Sequence, residues 1–188
     1  MKDVELKELS DEYVIMRIKS GIPSEFSHIV LRYQENIYAL IMRQVGDENI
    51  SQELTQESFI KAYKGISKFR GDSKVLTWLT RIALNVTNSY FDSRRYKEAK
   101  QNIVFDPILH ESTLSDPKEE YPEELIQALQ KFLTTLKAHH REAVVLCALE
   151  GKSYKEVADI LEIPIGTVSS RMTTALKQLR EKFQQVVV

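Results

Sequence analysis

The chain has 188 residues, of which 43% are hydrophobic and 28% charged, and its formal net charge is −1. These values are typical of a soluble globular protein with one large or two small domains, and they argue against a disordered chain. No apolar run is long enough to span a bilayer and the first residues do not resemble a signal peptide, so we expect a cytoplasmic protein that is not inserted in a membrane.

Helical periodicity dominates the first half of the chain. From Pro23 onward, apolar residues recur at three- and four-residue steps, which predicts an amphipathic helix that ends at Gly46. Asn49, with a glutamine three residues later, suits the N-cap of a second helix. A loop over residues 67–74 and a third helix over about residues 75–97 are predicted to follow.

A change of composition separates the two halves of the chain. Residues 99–122 contain three prolines and an acidic pair, and each proline lacks an amide donor and restrains the residue before it. We therefore predict domains over residues 1–98 and 123–188 joined by this linker. No alternation of strand length stands out, so the predicted fold is all-α, with two small helical domains.

The second half ends in a predicted helix-turn-helix. After a break at Gly151, Ser153 and Glu156 have the spacing of a capping box, in which each side chain satisfies an amide at the helix start. Residues 163–167 are predicted to form the turn between two short helices. In this motif the second helix enters the major groove of DNA.

The second helix of this motif has a predicted buried side formed by Val168, Met172 and Leu176. The residues left to face DNA are Thr167, Ser169, Ser170, Arg171, Thr173, Thr174 and Lys177. An ordinary two-helix corner is the alternative interpretation. The capping box followed by Ile-Pro-Ile-Gly-Thr-Val favours a DNA reader.

Positive charge is concentrated in the middle of the chain. Residues 61–97 have a net charge of +7, whereas residues 1–60 have −5, residues 98–122 have −4 and residues 123–188 have +1. A basic segment of this kind is typical of a nucleic-acid surface, although a solvated helix face is an open alternative.

Aromatic residues alternate with the cations in this central segment. They are Tyr63, Phe69, Trp78, Tyr90, Phe91 and Tyr96. Stacking of a base on an aromatic ring is worth ~1–3 kcal/mol, so the combination suits single-stranded or locally opened DNA. For Phe69 and Tyr63 a core position is favoured over stacking, and for Trp78 both interpretations stay open.

Three motifs in this order resemble the extracytoplasmic-function sigma factors, the smallest members of the sigma-70 family of bacterial RNA polymerase subunits. They are Glu53-Leu54-Thr55-Gln56-Glu57-Ser58-Phe59-Ile60-Lys61-Ala62-Tyr63, then Phe69-Arg70-Gly71-Asp72-Ser73 with Thr77-Trp78-Leu79 and Arg81-Ile82-Ala83-Leu84-Asn85, and finally Ser153-Tyr154-Lys155-Glu156-Val157-Ala158 with Pro164-Ile165-Gly166-Thr167-Val168. The resemblance implies a first domain that binds the polymerase clamp and captures the melted minus-ten element. It implies a second domain that reads the minus-thirty-five element and docks on the polymerase flap.

The resemblance also implies site residues. Those for core polymerase are Glu53, Leu54, Gln56, Glu57, Phe59, Ile60 and Tyr63, with Leu54, Gln56 and Phe59 facing the partner. Those for minus-ten DNA are Lys61, Phe69, Arg70, Ser73, Lys74, Thr77, Trp78, Arg81, Asn85, Asn88, Arg94 and Arg95. Those for minus-thirty-five DNA are Tyr154, Lys155, Thr167, Ser169, Ser170, Arg171, Thr173, Thr174 and Lys177. Residues 69–74 with Asn85 would form the pocket for an extruded base.

The expected partners are core RNA polymerase, promoter DNA and an anti-sigma factor. No small-molecule substrate, cofactor, metal or catalytic residue is expected. The chain departs from the family pattern at Ser169, Thr173 and Thr174, where arginine or lysine is usual, so weaker minus-thirty-five binding is expected.

Two other functions compete with promoter recognition. A stand-alone helix-turn-helix regulator that binds duplex operators as a dimer would explain the second half and leave residues 53–91 unexplained. An enzyme is disfavoured because the four histidines are not spaced for one metal site and no phosphate-binding glycine loop or nucleophile elbow occurs.

Overall fold

A computed structural model describes residues 9–93 and 123–186. All regular structure in these two ranges is helical, with no strand, as the sequence predicts. Contacts divide the chain into two compact units, one with residues 1–42 and 47–87 and the other with residues 43–46 and 88–188. The predicted linker, residues 99–122, lies outside the described residues.

The first unit begins with a helix that the sequence analysis did not predict. Helix α1 covers Asp11–Lys19, and the Ser10 side chain accepts a hydrogen bond from the amide of Tyr13 at its start. Acidic residues in its first turn and basic residues in its last turn complement the helix dipole.

Two long helices follow a single 3-10 turn at Pro23–Glu25. Helix α2 covers Phe26–Val45, and Gly46, with φ of +71°, ends it as predicted. Helix α3 covers Glu48–Gly65. The prediction of Asn49 as its N-cap is wrong, because the Asp47 carboxylate accepts a hydrogen bond from the amide of Ile50 and starts the helix two residues earlier.

A second 3-10 turn, Ile66–Lys68, leads into the basic loop, and helix α4 covers Val75–Asp92. The core of the first unit is apolar and almost fully inaccessible to solvent. Its most buried members include Ile29 and Ile41 from α2, Ala62 from α3, and Leu79 and Ala83 from α4. These helices therefore hold the loop between α3 and α4 on a packed scaffold.

The second unit contains the helix-turn-helix. Helix α5 covers Glu123–Thr135 and helix α6 covers Ala138–Val144, which continues as a π-helical turn over Val145–Leu149. Helices α7, Tyr154–Leu161, and α8, Ile165–Val186, follow.

Two details of the helix-turn-helix differ from the prediction. Helix α8 has 22 residues rather than being short, and it begins at Ile165, because the Pro164 carbonyl already accepts the first helical hydrogen bonds. The turn is correspondingly tighter and uses Glu162 with φ of +55°. Leu176 is exposed rather than buried, and Ala175 and Leu179 complete the buried side with Val168 and Met172.

Candidate nucleic-acid interface

The loop between α3 and α4 is anchored at its first residue. Phe69 is buried, and its ring lies 4.9 Å from that of Trp78, tilted by 43°. Phe69 therefore belongs to the core, which corrects its assignment to a DNA-contacting surface: its ring is not available to stack on a base. Trp78 is half-buried, so only part of its ring reaches the surface.

The centre of this loop faces solvent. Gly71 has φ of +84°, a conformation that side chains rarely adopt, so the loop can turn tightly there. Arg70 and Asp72 on either side of it are strongly exposed and form an ion pair of 2.8 Å. Lys74 is exposed and Ser73 is half-buried. The loop thus presents cations and hydrogen-bonding groups to the solvent.

Helix α4 extends this polar surface. Thr77, Arg81 and Asn85 follow one another at four-residue steps, so they share one face of the helix. Thr77 and Arg81 are half-buried and Asn85 is exposed. The loop and this face together form the candidate strand-binding surface, residues 70–74 with Thr77, Trp78, Arg81 and Asn85.

The side chain of Asn88, which is also assigned to minus-ten DNA, makes a different contact. Asn88 belongs to the second unit, where its Nδ2 donates a hydrogen bond of 2.5 Å to Oε1 of Glu142. Burial raises the pKa of Glu142, and the hydrogen bond from Asn88 opposes that shift. Arg94 and Arg95 lie outside the described residues.

Helix α3 presents a mixed surface. Leu54 and Phe59 are 5% and 7% exposed, so their side chains pack inside the first unit and the expectation that they face a partner is wrong. Ile60 and Tyr63 are 55% and 46% exposed, although Tyr63 also makes an edge contact with Phe26 at 5.2 Å. About half of each of these two residues therefore stays accessible to solvent.

Polar residues surround these two side chains on α3. Glu53, Gln56, Glu57 and Lys61 are all exposed, and Lys61 forms an ion pair of 2.8 Å with Glu57. An exposed apolar pair within a charged rim is typical of a protein-binding surface. We name Glu53, Gln56, Glu57, Ile60 and Tyr63 the α3 surface.

The helix-turn-helix begins as predicted. Ser153 and Glu156 form the capping box, with Glu156 accepting from the Ser153 amide at 2.8 Å and Ser153 Oγ accepting from the Glu156 amide at 3.3 Å. Tyr154 and Lys155, at the start of α7, are exposed. Two reciprocal hydrogen bonds thus close the start of α7, the end of the helix that carries the residues assigned to DNA.

The outer face of α8 is polar and almost neutral. Ser169, Ser170, Thr173 and Thr174 are exposed. Among the α8 residues assigned to DNA, Lys177 is the one exposed cation, with 76% of its side chain exposed. The hydroxyls of Ser170 and Thr173 each donate 3.0 Å hydrogen bonds to carbonyls of the preceding turn. Thr167 is half-buried.

Arg171 differs from its neighbours on α8. It is half-buried, and its charge acts on Glu142, His139 and His140. Burial lowers the pKa of both histidines, and the nearby cations Arg171 and Lys137 lower it further. Arg171 is thus less exposed than its neighbours on the outer face, and the exposed hydroxyl residues make up most of that face.

Lys19 contacts the start of the basic loop, a contact that the sequence did not predict. Its Nζ donates a hydrogen bond of 2.5 Å to the backbone carbonyl of Phe69, at the start of the basic loop. The periodicity of Val14, Ile15 and Ile18 after a capping serine could have revealed α1. No sequence signal could have paired Lys19 with a carbonyl 50 residues away.

In the part of the chain that the structure describes, no cluster of histidine, cysteine, aspartate or glutamate could hold a metal ion. None of the described helices is both long and apolar enough to cross a membrane.

Two family models match the chain in the predicted order. Sigma-70 region 2 matches residues 29–96, and Sigma-70 region 4 matches residues 126–179. The first match contains the strand-binding surface and the α3 surface, and the second contains the helix-turn-helix.

Relatives match over nearly the whole chain. The ECF RNA polymerase sigma-E factor of Haemophilus influenzae is 32% identical, covering 96% of this chain and 99% of that protein. The ECF RNA polymerase sigma-E factor of Escherichia coli K12 is also 32% identical, with 96% and 98% covered. Among solved structures, the sigma factor RpoE in complex with the anti-sigma factor NepR from Bartonella quintana is similar, with a TM-score of 0.60, 27% identity, and 85% of this chain and 97% of that chain covered.

Proposed function

The chain belongs to the extracytoplasmic-function sigma factors of the sigma-70 family, and we propose that its two units divide promoter recognition between them. It is a sigma factor, the subunit that binds core RNA polymerase and directs promoter-specific initiation. The observation that carries this conclusion is that both sigma-70 regions match in order, on a chain that spans 98–99% of the named relatives.

The first unit is proposed to capture unpaired bases of the minus-ten element on the strand-binding surface. Exposed Arg70 and Lys74 suit the phosphates of a single strand, and Asn85 offers an amide that can hydrogen-bond to a base edge. Extruding a base from the duplex costs a few kcal/mol, so the surface has to return that energy through stacking and hydrogen bonds. The exposed part of Trp78 and the neighbouring Thr77 and Arg81 are proposed to contribute to this binding.

The α3 surface is proposed to bind core polymerase. Its exposed Ile60 and Tyr63 can bury apolar area against a partner, while Glu53 and Glu57 would repel DNA. The acidic charge and the apolar centre thus favour a protein partner over nucleic acid at this helix.

The second unit is proposed to read the minus-thirty-five element with α8. Side chains at the start of the second helix of a helix-turn-helix reach base edges in the major groove. Ser169, Ser170, Thr173 and Thr174 are exposed there, and Tyr154 and Lys155 can contact the backbone beside them. Serine and threonine hydroxyls are adaptable partners, and a threonine methyl can contact a thymine methyl.

Regulation by an anti-sigma factor is also proposed. The similar Bartonella quintana sigma factor was solved in complex with the anti-sigma factor NepR. Because a polymerase subunit works beside the chromosome, we propose that the chain acts in the cytoplasm. Sigma factors are transcription initiation factors rather than enzymes, and we propose that the chain catalyses no reaction itself.

Reconstitution tests the function directly. The purified chain is mixed with core polymerase from the same organism, and run-off transcripts are collected from a genomic fragment library at stated salt. We expect a stable complex in gel filtration and transcripts from defined start sites. A chain that does not bind core polymerase, yet protects two-fold symmetric operators as a dimer, would contradict the proposal and favour the stand-alone regulator.

A further inference from the structure

Helix α1 lies outside the part of the chain that the family models match, since the first match begins at residue 29. It is nevertheless built into the first unit. Val14 is fully inaccessible to solvent, and Ile15 and Ile18 are each 8% exposed. A helix with three buried apolar residues is part of the scaffold rather than a loose N-terminal extension.

The start of α1 is tied to α2 by polar contacts. The Asp11 carboxylate accepts hydrogen bonds from Arg32 and from the Tyr33 hydroxyl. Further along, Arg17 forms an ion pair of 3.2 Å with Glu25 in the first 3-10 turn. These contacts fix both the position and the direction of α1 on the unit.

The end of α1 reaches the strand-binding surface. Nζ of Lys19 donates to the carbonyl oxygen of Phe69, which belongs to the peptide that joins Phe69 to Arg70. The Phe69 ring packs against that of Trp78. Phe69 is therefore held at two points where the chain enters the exposed loop, by its buried ring and by the hydrogen bond from Lys19 to its carbonyl.

We infer that Lys19 is a positioning residue for capture of the minus-ten strand, and that it holds the basic loop in its binding shape from outside the matched region. This inference rests on the proposed role of the first unit. Holding a loop in its bound conformation reduces the entropy lost on binding, so the anchored loop binds a strand more tightly than a mobile one. Lys19 does so without contacting DNA.

The test replaces Lys19 with methionine in the full chain and measures binding of the holoenzyme to a single-stranded minus-ten oligonucleotide over a series of salt concentrations. We expect binding to weaken about threefold to tenfold, with an unchanged slope of log K against log salt and unchanged affinity for core polymerase. Lys19→Arg, which keeps a donor of similar reach, is expected to restore most of the affinity.

Lys74→Met is the matched control, because Lys74 is an exposed lysine assigned to the strand itself. Losing one phosphate contact to a single strand lowers the salt slope by about 0.7, so Lys74→Met should reduce both affinity and slope. If Lys19→Met reduces the slope in the same way, Lys19 binds phosphate directly and the inference is overturned.

Hydrogen exchange of the free chain gives a readout that does not depend on DNA. Lys19→Met is expected to speed exchange of the amides in residues 70–74, while those in the core of α4 stay protected. Unchanged exchange in the loop would overturn the inference. Failure of the parent holoenzyme to bind any minus-ten strand would instead contradict the proposed function of the first unit, whatever the exchange result.

Discussion

Leu54 and Ile60 lie on the same helix, α3, but they have opposite environments, 5% and 55% exposed. Leu54→Ala removes buried methyl groups and is expected to lower the free energy of unfolding by about 3 kcal/mol, measured in urea. Ile60→Ser should leave stability within about 0.5 kcal/mol and weaken core polymerase binding roughly tenfold in a competition assay. If Ile60→Ser binds core polymerase as tightly as the parent, the α3 surface is not the interface.

Leu54 and Ile60 also show which features of α3 could be predicted from the sequence and which could not. The motif from Glu53 to Tyr63 predicted the helix, which the structure contains, and a partner for it, but a motif does not separate residues that fold the helix from residues that bind. Buried Leu54, Thr55, Ser58, Phe59 and Ala62 repeat at steps of three and four, the period of one helix face. Thr55 and Ser58 in this set are polar, so a search for apolar residues alone does not detect this buried face of the helix.

We expect the stability of the second unit to depend on pH through His139 and His140. Because burial lowers the pKa of His140, the folded chain binds its proton more weakly than the unfolded chain does. The contribution that neutral His140 makes to the free energy of unfolding is fully present above the unfolded pKa of about 6.5. It is lost progressively as the pH falls below that value.

We therefore expect the melting temperature of the parent to drop between pH 7.5 and pH 5.5, and that of His140→Gln to drop less. The difference between the two curves isolates this residue, because every other titrating group is shared. Parallel melting curves for parent and variant would contradict the assignment.

At the scale of elements, the outer face of α8 has little charge for a duplex reader. Ser169→Arg adds a cation to an exposed position on that face. We expect tighter binding to a minus-thirty-five duplex, with the slope of log K against log salt steeper by about 0.9. Binding curves at several salt concentrations provide the measurement.

Ala148→Arg is the control, since Ala148 is exposed on the π-helical turn rather than on α8. It adds the same charge to the same unit, so its effect on the slope should be much smaller. Equal effects of the two substitutions would indicate general attraction of DNA and not a binding face on α8.

Several of the predictions that the structure tests concern where helices begin. The capping box at Ser153 was confirmed, because a reciprocal pair of side chains leaves a specific four-residue pattern. The prediction of Asn49 as the N-cap of α3 was wrong because Asp47, two residues earlier, is an equally good cap directly after Gly46. The predicted turn before α8 extended too far along the chain because Pro164 was taken to interrupt helical structure. Proline is well tolerated where a helix begins, and α8 begins directly after Pro164.

At the scale of the whole molecule, the order of the motifs was what allowed the fold and the family to be predicted. Three motifs in sequence predicted two helical domains of one family, and the region matches support that order. The distant pairing of Lys19 with Phe69 and the partial burial of Arg171 could not be predicted, since each depends on tertiary packing rather than on spacing along the chain.

We propose above all that the first unit captures unpaired bases while the second unit reads duplex DNA. The most direct measurement compares holoenzymes with and without Asn85→Ala on two forms of one promoter, a fully paired duplex and a duplex with a mismatched minus-ten bubble, together with permanganate reactivity of the minus-ten thymines. We expect the variant to bind the bubble roughly tenfold more weakly, a loss of about 1.4 kcal/mol. It should also leave the thymines of the duplex unreactive, while initial binding to the paired minus-thirty-five region stays the same. An equal loss on a paired minus-thirty-five fragment and on the bubble would contradict the account.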